Sequence, residues 1–118
     1  MSNYTRGDYR EKRAVEYLES FGYTCWQARG SKGCADLICL IANHPSLLVQ
    51  VKVGTNVSHE GWNALYTLAS NLGARPVVCT CTGNSPHITM HWRLILGLHR
   101  PHSQTWPSRP ILLSDDEA

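Results

Sequence analysis

Asp36, Gln50 and Lys52 are the residues of this chain whose types and spacing could do chemistry together. Each lies in a short apolar run, Cys34–Ile41 or Leu47–Val53, where a plain core strand would carry only hydrophobic side chains. Side chains alternate along a strand, so Gln50 and Lys52 share one face while Val49 and Val51 take the other. If the two runs pair as a hairpin across the loop Ala42 to Ser46, a symmetric register sets Asp36 opposite Lys52 and Ile38 opposite Gln50. A carboxylate, an amide and an amine then meet beside a sheet. Hydrolysis of a phosphodiester without a covalent intermediate needs hard divalent cations, an activated water and positive charge for the developing oxyanion. Magnesium takes oxygen ligands, which Asp36, the Gln50 side-chain carbonyl and the backbone carbonyl of Val51 can offer. Lys52 has no role as a metal ligand; its ammonium would orient the water or balance charge in the transition state.

Two further segments are placed to serve that cluster. Glu11 recurs with Val15, Leu18 and Gly22 at the spacing of one helix face, so a carboxylate stands at the inward-facing start of an apolar stripe and must be neutralised or hydrogen-bonded there. The competing reading makes Glu11 the capping-box partner of Asp8, the residue that looks like the helix N-cap. Arg29-Gly30-Ser31-Lys32-Gly33 runs directly into the acidic strand. Its glycines allow close approach of a ligand to backbone, and Arg29, Ser31 and Lys32 suit phosphate oxygens; a hairpin turn with solvated charges is the bland alternative. Arg6 and Arg10 extend the basic N-terminal half as candidate DNA contacts.

The elements that must position these groups follow from periodicity. A first helix ends at Gly22, Tyr23–Ala28 alternates as a first strand, and the two apolar runs are the second and third. Ser58 caps a second helix with Trp62, Leu65, Ala69 and Leu72 on one face and Gly73 just past its end. Trp62 and Tyr66 could stack on bases, but their spacing is that of core. Pro76–Cys81 reads as a fourth strand, parallel to its neighbour because a helix crosses over between them. His87–Leu96 reads as a fifth, with Ile88, Met90, Trp92, Leu94 and Leu96 on one face and His91 and Arg93 on the other. Residues 97–118 form a Pro-, Ser- and His-rich C-terminal extension, mobile except where Ile111-Leu112-Leu113 could clip onto the body or a partner subunit.

At 118 residues the chain is one domain, with its core over about residues 7–96. The net charge is +2, but three of the nine acids are Asp115, Asp116 and Glu117; without them the body carries +5, which suits a polyanion partner. Five cysteines with no CxxC pair suggest a reducing compartment, with zinc held by Cys and His as the sharper alternative. His44, alone in a loop, reads as solvated. A polar start and the absence of a long apolar run lead to the expectation of a soluble, cytoplasmic chain with no membrane partner.

In the order Glu11, Gly30-Ser31-Lys32-Gly33, Asp36, Gln50-Val51-Lys52, the chain resembles the PD-(D/E)xK nucleases, and in particular the Holliday junction resolvases of archaea and their phage relatives. The resemblance covers Tyr9 to about Gly73. It implies a restriction-endonuclease-like α/β fold with an αβββαβ core, a mixed central sheet flanked by helices. It also implies a homodimer that cuts a four-way DNA junction with Mg2+, for which Mn2+ can substitute, in the cytoplasm of a host cell if the chain is phage-encoded. Glu11, Asp36, Gln50 and Lys52 would be the catalytic set, with Glu11, Asp36, Gln50 and the Val51 carbonyl around the metal. Two positions depart from the family pattern. Ala35 stands where the motif has Pro, and Gln50 stands where Glu is usual, which removes a negative charge from the site.

Overall fold

The computed structural model describes residues 6–28, 34–54, 57–84 and 86–111, with side chains from Tyr9 onward. The elements run α1 (Arg6–Glu19), β1 (Thr24–Gln27), β2 (Leu37–Leu40), β3 (Leu47–Val53), α2 (His59–Leu72), β4 (Arg75–Asn84), β5 (His87–Ile95) and β6 (Ser108–Pro110). The six strands form one sheet in chain order. All neighbours pair antiparallel except β3 and β4, which are parallel. That one parallel pair is joined by α2, as a parallel connection requires a crossover. The expected αβββαβ core is present, extended by β5 and β6.

Each helix covers one face of the sheet. Ala14 and Leu18 of α1 close over Leu37, Cys39, Leu47, Val49, Val77, Cys79 and Cys81. Trp62, Leu65 and Ala69 of α2 close over Leu48, Val78 and Ile95 on the other side. Because β3 and β4 are buried on both faces over residues 47–49 and 76–79, those stretches read as continuous apolar runs rather than as alternating ones. Leu18, Leu37, Leu47 and Leu65 are fully buried, each worth about 1.5–3 kcal/mol of transfer free energy. Cys25 lies directly opposite Cys39 on β1 and β2. The hydrogen bond with Cys25, then burial, pushes the Cys39 thiol far above its ordinary range.

Helix ends follow the sequence, with one displacement. Ser58 caps α2 by accepting from Gly61 N (2.9 Å), and Gly73, at φ 70°, returns its N–H to Ala69 O and Ser70 O. Gly22 (φ 97°) closes α1 as expected. The helix begins at Arg6, however, so Asp8 lies inside its first turn and not at the N-cap. An acidic residue is favourable there too, because the first-turn N–H groups carry the positive end of the helix dipole.

The β2–β3 hairpin departs from the symmetric register expected across Ala42 to Ser46. Leu37 pairs with Val49 and Ile38 with Leu48, which puts Asp36 beside Gln50 and not beside Lys52. The turn centres on Asn43, which takes the left-handed conformation at φ 68°, a region that Asn tolerates better than most residues. Since the slip is two residues, every side chain keeps its face.

Two expectations for the C-terminal part are also revised. Ile88, Met90, Trp92 and Leu94 face the α1 core as read, and Tyr17 stacks on Trp92 (5.4 Å between ring centroids, 18° between planes). Leu96 does not join them: β5 ends at Ile95, and Leu96 is 52% exposed. The supposed tail contributes β6, paired with β5, and Ile111 is buried against the α1 core. Between β5 and β6 the chain folds back over α2. There Trp62 Nε1 donates to Gly97 O (3.0 Å), and Asn63 and His99 exchange two bonds, Nδ2 to His99 O (3.0 Å) and His99 N to Oδ1 (2.7 Å).

Candidate active site

The cluster forms where β2 stops and β3 continues. Asp36 N donates to Val49 O (2.8 Å), the last backbone rung between the two strands, and Asp36 Oδ2 then accepts from Val51 N (2.8 Å). The carboxylate thus takes the place of the next rung and lies in the plane of the sheet, between its two faces. A strand residue sends its N–H and C=O to the same side, so the Val51 carbonyl also leaves towards β2, alongside this carboxylate.

Gln50 is 3% exposed. Its Nε2 donates to Cys34 O (3.3 Å), while its Oε1 is buried with no hydrogen-bond partner. Exchanging the amide's N and O would aim oxygen at the Cys34 carbonyl, so the orientation is set by that contact and the orphaned atom is the oxygen. A buried polar atom left unpaired costs about 1–3 kcal/mol, a cost that a cation at this oxygen would remove. The pocket around it depends on Gly61: a Cβ there would lie 2.8 Å from Ser58 Oγ and 3.2 Å from Gln50 Nε2. Lys52 is half-buried on the same face as Gln50 and forms no ion pair or hydrogen bond with a described residue. Its neighbour on β4 is Thr80.

Glu11 stands on the α1 side of the same sheet end. It is half-buried, and its Oε1 accepts from Gln27 Nε2 (3.2 Å), a β1 residue whose partner in the sheet is Leu37, next to Asp36. Asp36, Gln50 and Val51 are therefore brought together, Lys52 lies two residues along from Gln50, and Glu11 approaches from the opposite face.

Arg10 is corrected. It is 4% exposed and its Nη2 donates to Gly83 O (2.9 Å), tying α1 to the end of β4. It falls on the buried stripe with Ala14 and Leu18, so it is not the surface cation that a phosphate contact requires. The i, i+4, i+8 spacing of those three residues was the available signal. Arg6 lies in α1 but its side chain, like Arg29, Ser31 and Lys32 entirely, is outside the described residues. Sequence reasoning also did not single out Gln27 and Gly61, which hold Glu11 and make room for Gln50. Alternation with Cys25 placed Gln27 on the α1 face, but nothing local marked Gly61.

For a hard divalent cation the fit is with oxygen donors: the Asp36 carboxylate, the Gln50 Oε1 orphan and the Val51 carbonyl. Among the described residues no group of three or more His, Cys, Asp and Glu could hold a metal ion. No helix is long and apolar enough to cross a membrane.

No family model matches the sequence, and no curated protein does. Among solved structures, the chain is similar to Hjc of Archaeoglobus fulgidus, a Holliday junction resolvase from an archaeal hyperthermophile. The TM-score is 0.60 and the sequence identity 20%, over 76% of this chain and 71% of that one. At that identity the likeness is one of fold: the chain shares the mixed six-stranded sheet and flanking helices of a resolvase-like α/β architecture.

Proposed function

We propose that this protein is a metal-dependent, structure-selective DNA endonuclease that hydrolyses phosphodiester bonds as a homodimeric Holliday junction resolvase. The observation that carries the reading is the junction of β2 and β3. There an in-plane carboxylate bonded to Val51 N stands beside the strand position of an orphaned buried amide oxygen, and Lys52, without an acidic partner among the described residues, follows two residues along on the amide's face. Asp36, Gln50 and the Val51 carbonyl would hold Mg2+, with Mn2+ as substitute, and Glu11 is the second carboxylate at that end of the sheet. When bound, the cation supplies the charge that activates a water and neutralises phosphate oxygens.

The chain's own groups do the rest. Val51 N–H fixes the Asp36 carboxylate, and Cys34 O fixes the Gln50 amide. The Lys52 ammonium orients the attacking water and stabilises negative charge as it grows on the phosphoryl oxygens. Arg6, Arg29, Ser31 and Lys32 grip the flanking phosphates of branched DNA in this reading.

A labelled four-way junction, duplex and flap, each incubated with Mg2+, Mn2+ or chelator, test the proposal. Paired cuts in the junction are expected with metal and none with chelator. Asp36→Ala and Lys52→Ala should each lower the cleavage rate by 100-fold or more, about the scale of losing a positioned charge, while junction binding persists. Unchanged cleavage in either variant would remove that residue from the mechanism. Products from duplex or flap alone would point to an endonuclease of the same fold with another substrate. The amide at position 50 favours one further reading, a DNA-binding module with weakened catalysis, whose signature is salt-sensitive binding without metal-dependent products.

A further inference from the structure

A cavity of about 360 Å³ opens on the α2 side of the sheet, lined by Val78, Thr80 and Arg93 beneath Trp62, Trp106 and Ser108. Its floor continues the candidate active site. Gln50, Val78 and Arg93 are successive partners across β3, β4 and β5, and so are Lys52, Thr80 and His91. Thr80 is thus one strand spacing from Lys52, and Arg93 lies two spacings, about 10 Å, from Gln50.

The lining combines a fixed aromatic wall with a guanidinium, that of Arg93. Trp62 is held by its bond to Gly97 O (3.0 Å). Trp106 is held on one side by His99, stacked at 3.5 Å between centroids and 10° between planes, and by the Trp62 ring at 5.0 Å and 68°. His99 is itself 5% exposed and bonded through Nδ1 to His59 Nδ1 (2.8 Å) and through Nε2 to Ser103 O (2.9 Å), so the wall rests on a buried support. Arg93 donates from Nε to Ser108 Oγ (2.8 Å) and from Nη2 to Ser108 O (3.2 Å). Those bonds orient the guanidinium but leave its charge without an acidic partner among the described residues. Trp106, half-buried over the 3%-exposed Trp62, and a cation without an acidic partner among the described residues, in a volume at the lower end of small-ligand pockets, match a group with a flat apolar ring and an adjoining phosphate.

From this we infer that the cavity is a nucleotide subsite. It takes one unstacked base of the DNA strand next to the scissile phosphate, with the base against the tryptophan wall and its phosphate on Arg93. The inference rests on the DNA reading above and adds how the substrate is registered: a base that can leave the stack, as at a branch point, is what the cavity accepts.

Two measurements separate this subsite from the nuclease reading. Deoxyadenosine 5′-monophosphate alone, titrated into the full chain, should shift the indole N–H resonances of Trp62 and Trp106 saturably while those of Trp26 and Trp92 stay in place. Arg93→Gln should weaken that binding about tenfold, and Arg93→Lys should restore part of it. In the second, a four-way junction carrying an abasic site at successive positions around the cut should bind about tenfold more weakly at one position, a penalty that Trp106→Leu abolishes. Failure of the indoles to shift, or equal binding of every abasic junction, would overturn the subsite even if the junction is cut normally. A junction left uncut by a protein that passes both tests would overturn the nuclease reading and leave the subsite standing.

Discussion

Gln50 decides the character of the site. A glutamate in its place would carry a charge at a position 3% exposed, facing the Cys34 carbonyl that now accepts from the amide. In the absence of a cation that charge would be buried beside a lone pair, at a cost of several kcal/mol unless the group takes up a proton. The amide avoids the penalty but offers the cation only a dipole. Gln50→Glu should therefore lower the melting temperature in chelator, by roughly 4–8 °C per kcal/mol lost, and Mg2+ or Mn2+ should raise it more in the variant than in the parent. Thermal unfolding with and without metal checks this independently of cleavage. Equal metal shifts in the two proteins would mean that position 50 does not face the cation. Asp36→Asn in the same assay should abolish the metal shift while leaving Val51 N with an acceptor.

The elements that frame the site were legible in the sequence to different degrees, and the differences have physical causes. The alternation of Gln50 and Lys52 against Val49 and Val51 requires only the two-residue period of a strand, and the structure keeps it. The hairpin register depended on one left-handed residue, Asn43, which a symmetric count cannot place. Arg10 was missed because a cation near a helix start is usually solvated; here the β4–β5 turn supplies a carbonyl to receive it. The three residues Ser108–Pro110 carry no strand pattern of their own, and Pro110 is tolerated because β6 is the sheet's edge. The β4–β5 turn is the most exacting of these elements. Gly83 has φ 88°, and a Cβ there would meet His87 O at 2.4 Å, a backbone atom that cannot step aside. Gly83→Ala should destabilise the protein by about 1–3 kcal/mol in urea unfolding and loosen the Arg10 contact. Asn43→Gly, at a left-handed position that glycine also accepts, should stay within about 1 kcal/mol of the parent. Equal costs at the two positions would show that the turn is not held as tightly as its geometry requires.

Across the whole molecule, the α2 face of the sheet is covered unevenly, and this bears on how two copies would meet. The α2 helix packs on β3 and β4, while on β1 and β2 the same face leaves Trp26 52%, Ile38 38% and Leu40 43% exposed. Trp26 and Ile38 are direct partners across the two strands, so the three side chains form one patch at the sheet edge. By contrast, Ile88, Met90, Trp92, Leu94 and Ile111, the apolar residues of the C-terminal part, are spent on the chain's own core. A homodimer in the proposed reading would therefore join through the β1–β2 edge, near the end where Asp36 lies, setting the two sites at a fixed separation across a branched substrate. A stable dimer buries about 800 Å² on each copy, with large aromatic and aliphatic side chains at its centre. Trp26→Asp or Ile38→Asp should convert the protein to a monomer in sedimentation velocity with its circular dichroism unchanged. In the cleavage assay the monomer should nick single strands of the junction where the parent makes paired cuts. A parent that sediments as a monomer even with junction DNA bound would reject the dimer, and variants that remain dimeric would move the interface elsewhere on the surface.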